Sequence, residues 1–153
     1  MKLAEALVLR ADCQRKVAQL KQRLERVIKV QEGEQPAEEP AMLFTELNRT
    51  LEELTSWIKK INHTNSFTPF DANMSISDAL AERDKIMQTR NILSDLLETA
   101  SIKQDRFSRS EVKFYRTIEV NEIQRQVDDL SKKYRELDFK IQEKNWTIEL
   151  LED

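Results

Sequence analysis

The sequence predicts an all-α protein, an antiparallel bundle of four long helices with a small β-hairpin or strand insertion around residues 66–75 and 110–120. Three observations lead there. Apolar residues recur at three- and four-residue steps through most of the chain, the spacing that lines one face of a helix. Gly occurs once and Pro three times in 153 residues, so long runs escape the two residues that most disfavour helix interiors. Charged residues make up 35% of the chain, which suits long solvated helix faces better than a sandwich or barrel. At this length a single domain over residues 1–153 is the natural reading.

The first helix is expected over Lys2–Val30, with Leu3, Ala6, Arg10, Cys13, Val17, Leu20, Leu24 and Val27 on one seam. It should stop at Gln31-Glu32-Gly33, where the glycine can adopt a left-handed cap. Glu34–Pro40 reads as an acidic, extended connector. Pro40 suits the first turn of a second helix, whose stripe is Leu43, Leu47, Leu51, Leu54, Ile58 and Ile61, widened by Phe44 and Trp57. A connector this short makes the two helices an antiparallel hairpin. The polar run Asn62–Ser66 should end the second helix, and Ser66–Phe70 followed by Asp71-Ala72-Asn73 predicts the small hairpin.

Ser75 with Asp78 resembles a capping box opening a third helix. Its stripe is Ile76, Leu80, Arg83, Met87, Arg90, Leu93, Leu97 and Ala100. Beyond it, Val112, Phe114, Arg116, Ile118 and Val120 alternate with Lys113, Tyr115, Thr117 and Glu119, the two-residue period of a strand. A lone strand must pair with the 66–75 hairpin or with a second copy of the chain. Asn121 should cap the last helix, Asn121–Leu151. Its heptad stripe is Ile123, Val127, Leu130, Tyr134, Leu137, Ile141, Asn145 and Ile148, with Asn145 fixing the register. Phe139, Trp146 and Leu150 form a second apolar line, so this helix needs more than one neighbour.

A net charge of −3 and a pI near 5.4 argue against a dedicated nucleic-acid binder. No secretory signal or apolar run of membrane-spanning length is visible. The single cysteine, Cys13, excludes an internal disulfide and fits a buried thiol in a reducing cytoplasm. One glycine cannot build a phosphate loop. Cys13 and His63 each stand alone, so no zinc cluster or Cys/His pair is available within the chain. No catalytic residue, metal ligand or cofactor is therefore assigned.

Cations occupy positions where the stripes call for apolar residues: Arg10, Arg83 and Arg90. In the plain reading their stems cover apolar surface and their heads pair with acids such as Glu5, Asp12, Asp84 and Glu136. In the functional reading Arg10, Arg83 and Arg90 line an anion site, for which the planar guanidinium fork is suited. The segment Lys103–Arg116 adds five cations (Lys103, Arg106, Arg109, Lys113, Arg116) against Asp105 and Glu111. Arg106, Arg109 and Lys113, interleaved with serines, could hold a phosphate or carboxylate, or simply form a solvated loop. Asn62, Thr64 and Asn65 end the second helix and could face a ligand beside the hairpin, although satisfying the last carbonyls of the helix is the simpler role.

KLAEALVLRAD, KVQEGEQPAEEP, INHTN, SDALAERD, QDRFSRSEVKF and YRELDFKIQEKNWTIELL together resemble the small bacterial proteins labelled septicolysin, a domain family of unknown function. The resemblance runs along essentially the whole chain. It implies a cytoplasmic all-helical protein that assembles into homo-oligomers, with no catalytic residues to carry over. Relatives tend to have glycine where Asp71-Ala72-Asn73 stands and often Tyr where Phe107 stands.

The leading expectation is a non-enzymatic homo-oligomeric helical module with structural or interaction duties, and with no nucleic-acid or membrane partner. One alternative is a binder, or an enzyme, of a small phosphorylated or carboxylated ligand held by Arg10, Arg83, Arg106, Arg109 and Lys113. A second is the cytolysin-like activity that the family label suggests.

Overall fold

The structure is a computed structural model that describes residues 1–101 and 112–152. Among them are four α-helices: α1 Leu3–Val27, α2 Pro40–Phe67, α3 Ile76–Ser101 and α4 Val120–Thr147. The described residues contain no sheet, only two isolated β-bridges. The chain divides into two compact units, one of residues 1–76 with 142–153 and one of residues 77–141.

In the first unit α1 and α2 form the expected antiparallel hairpin. Lys16 pairs with Glu46 of α2 at 3.0 Å and Arg23 with Glu38 of the connector, so residue numbers beyond the connector rise as the chain runs back along α1. Leu20, Leu24, Val27 and Leu43, joined by the half-buried Leu47, form the core between them. Each such buried side chain contributes about 2 kcal/mol relative to leaving it in water. On α2 the buried positions include Thr50, while Leu51 and Phe44 are 40% and 44% exposed. A threonine can take an interior place because its hydroxyl is satisfied locally: Thr50 Oγ1 donates to the Glu46 carbonyl at 2.8 Å.

The same unit holds a clasp between the two ends of the described chain. Lys2 and Glu149 form an antiparallel bridge. Leu3 N–H donates to the Ile148 carbonyl at 2.9 Å, and Leu150 N–H donates to the Met1 carbonyl at 2.8 Å. Leu151 N–H then donates to Thr64 Oγ1 at 2.9 Å. Leu3, Ile61, Thr64 and Leu150 are buried there. Glu5 reaches back to accept the Lys2 N–H at 2.7 Å, which closes the start of α1.

In the second unit α3 and α4 are antiparallel. Arg83 Nη1 donates to Asp138 Oδ1 at 2.7 Å, and Arg90 Nε donates to Ser131 Oγ at 2.8 Å. Ala79, Leu97, Val127 and Ile141 are its buried apolar residues.

Several expectations are corrected. α1 stops at Val27 rather than Val30. Ile28 and Val30 lie 63% and 45% exposed, so β-branched residues there gain no burial to offset their weak helix preference. Gly33 is not a helix cap. With φ at +85° it occupies a turn closed by Glu34 N–H donating to the Gln31 carbonyl at 3.0 Å. α2 continues through the polar run to Phe67.

The hairpin at 66–75 reduces to one bridge, Pro69 with Ser75. Proline has no N–H to extend a ladder. The Asp71 carboxylate closes the turn instead, accepting Asn73 N–H at 2.7 Å and Met74 N–H at 3.0 Å. The turn needs no positive φ, so it forms without a glycine. Residues 112–119 carry no strand, and 110–111 lie outside the described residues. α4 begins at Val120, so Asn121 lies within its first turn and does not cap it. It ends at Thr147, four residues short of the expected Leu151. The arm beyond Thr147 leaves the helix because Met1, Leu3 and Thr64 supply its backbone with other partners.

Candidate functional site

Arg10 projects from the apolar seam of α1 and is half-buried. Its Nε is sealed from water without a hydrogen-bond partner. Neither expected acid serves it: Glu5 is turned to the Lys2 N–H and Asp12 to Arg15. Leaving a buried charged donor unsatisfied is costly, so this position is unusual.

Arg83 is different. Its guanidinium is tied to Asp138, with side chains only 22% and 29% exposed. Its partner is neither Asp84 nor Glu136, because the α3–α4 register brings Asp138 opposite. Its Nε is also buried without a partner. Arg90 is held by Ser131 and by Asn91 at 3.2 Å, and Ser131 in turn donates to the Val127 carbonyl at 2.9 Å. The two arginines of α3 thus bond across the α3–α4 contact.

Arg106 and Arg109 lie outside the described residues. Lys113 is exposed, and Arg116 caps α3 by donating to the Ala100 carbonyl at 2.8 Å, a favourable place for a cation. Asn62 is exposed and Asn65 half-buried on the last turns of α2. The residue between them that matters structurally is Thr64, fully buried. Its hydroxyl donates to the Lys60 carbonyl at 2.8 Å and accepts from Leu151 N–H. Its place three residues after Ile61 on the α2 stripe was a usable signal, but a polar residue in a polar run reads as a helix end. The buried Asn145, at 7% exposure, donates to Gln142 at 3.5 Å.

Among the described residues no group of three or more His, Cys, Asp or Glu is placed to hold a metal. Cys13 is buried; that burial, reinforced by the Glu53 carboxylate, pushes its thiol pKa up and leaves it a poor nucleophile. Two surface hollows stand out. One, of about 470 Å³, is lined by Ala41, Met42, Thr45, Glu46 and Arg49 on the outer side of α2. The other, of about 560 Å³, lies at the first connector and includes Arg26, Lys29, Gln31 and Gln35. Neither gathers a nucleophile, a base and an orienting group.

The more prominent surface feature is apolar. In the second unit Ile92, Leu96, Phe114, Tyr115, Ile118 and Phe139 are 41% to 82% exposed. Ile92 and Leu96, four residues apart, share one face of α3. In the first unit Met1, Val8, Ile28, Val30, Met42, Phe44, Phe67 and Trp146 are 44% to 72% exposed. Phe139 and Trp146, the second apolar line of α4, thus remain open to solvent, whereas Leu150 turns inward with the terminal arm. No helix of the described residues is long and apolar enough to cross a membrane.

The chain is similar to a functionally unknown conserved protein from Corynebacterium diphtheriae whose crystal structure is solved. The two share 44% identity over 99% of each chain, with a TM-score of 0.90. No curated protein matches. Residues 10–150 match a family of unknown function, DUF6847; this match carries no septicolysin label and no lytic activity. The chain belongs to the DUF6847 family.

Proposed function

We propose that the chain is a non-enzymatic interaction module that works as a homo-oligomer of a single helical domain, in the cytoplasm. The observation that carries this reading is the imbalance of the second unit. It buries Ala79, Leu97, Val127 and Ile141 but leaves Ile92, Leu96, Phe114, Tyr115, Ile118 and Phe139 open to water. Exposed apolar residues in such number mark surfaces that another molecule covers. Double substitution Ile92→Glu with Leu96→Glu tests it: the helical signal stays intact while the mass in solution falls. An unchanged mass would remove α3 from the interface.

A second reading, a binder of a small phosphorylated or carboxylated ligand, is favoured by Arg10, whose buried Nε has no partner and which, unlike Arg83, has no paired carboxylate. Arg106, Arg109 and Lys113 belong to the same reading on sequence grounds. A thermal-shift screen against phosphorylated metabolites and carboxylates is its test, because a ligand at 100 times its dissociation constant stabilises the folded state by about 2.7 kcal/mol. A shift lost in Arg10→Met would support it; a flat screen would end it. Lytic activity, the finer implication of the resemblance to septicolysin-labelled proteins, rests on that resemblance alone, and failure of the purified protein to release dye from liposomes would dispose of it.

A further inference from the structure

We draw no further inference here: the strongest candidate, the half-buried Arg10 on the apolar seam of α1 with its unpartnered Nε, belongs to the anion-binding reading already given, and nothing shown in the structure says which anion it would take.

Discussion

The two units are built from the same kind of helix but finish their cores differently. The α1–α2 unit closes on itself. Leu3, Ala6, Leu20, Leu24, Val27, Leu43, Ile61 and Leu150 are buried, and the clasp between Met1–Leu3 and Ile148–Leu151 ties the ends of the described chain together. The α3–α4 unit is held where charged and polar side chains meet, Arg83 on Asp138 and Arg90 on Ser131, with few buried apolar residues beside them. Exposed and half-exposed polar contacts contribute little, around 0–1 kcal/mol each, whereas core burial carries most of the stability. The difference is one of proportion: both units leave apolar side chains exposed, but the first buries far more of them than the second does.

The sharpest way to break this comparison is in the core. Ile61→Ala or Leu20→Ala should cost about 2–5 kcal/mol, since both side chains are about 1% exposed. Ile92→Ala, on a side chain 52% exposed, should change the stability of the isolated chain by less than about 0.5 kcal/mol. Thermal unfolding at a protein concentration low enough to favour single chains reads both, and equal losses would remove the asymmetry.

Thr64 sharpens the description of the clasp. Thr64→Val keeps the shape but strips the acceptor from Leu151 N–H, and should cost about 1–3 kcal/mol. Thr64→Ser should recover most of it. Loss of amide protection at Leu151 in Thr64→Val alone would confirm the cause.

Asp138→Ala probes the second unit. It strands the half-buried Arg83 and should cost about 1–2 kcal/mol, between an exposed and a buried pair. Chemical denaturation of the variant measures it. No loss would mean that Arg83 satisfies itself in solvent.

The smallest effect is that of acid on the first unit. Hydrogen bonds from Arg23, Lys16 and Lys2 hold the carboxyls of Glu38, Glu46 and Glu149, in that order, below the usual glutamate value. The folded chain therefore favours their ionised forms. That contribution is complete above the ordinary glutamate range and fades as pH falls through the lowered values. All three groups are solvent-accessible, so the loss is modest. Amide protection factors around Lys2 and Glu149 should fall on acidification before those around Leu20 do.

Much of the fold was legible in the sequence. The stripes Leu20, Leu24, Val27 and Leu43, and Ile76, Leu97, Val127 and Ile141, are buried as their spacing implies. The α1–α2 hairpin follows from the short connector. What was hidden depended on partners far along the chain. Ile148 continues the α4 heptad perfectly well, and nothing local says that Leu150 and Leu151 find better hydrogen-bond partners at Met1 and Thr64. Thr50 does not stand out in the sequence and Thr64 reads there, with Asn62 and Asn65, as part of a helix end, although each threonine hydroxyl is satisfied by the carbonyl four residues earlier. The candidate site was less legible. Spacing put Arg83 on the α3 stripe but could not choose Asp138 over Glu136, since both lie on α4 and only the helix register separates them.

On the proposed reading, further copies of the chain cover the apolar surface of the second unit. The most direct measurement is the mass of the purified protein by light scattering, from micromolar concentration upward. A discrete multiple of 18.1 kDa that persists on dilution is the predicted result. A mass of one chain throughout would contradict it.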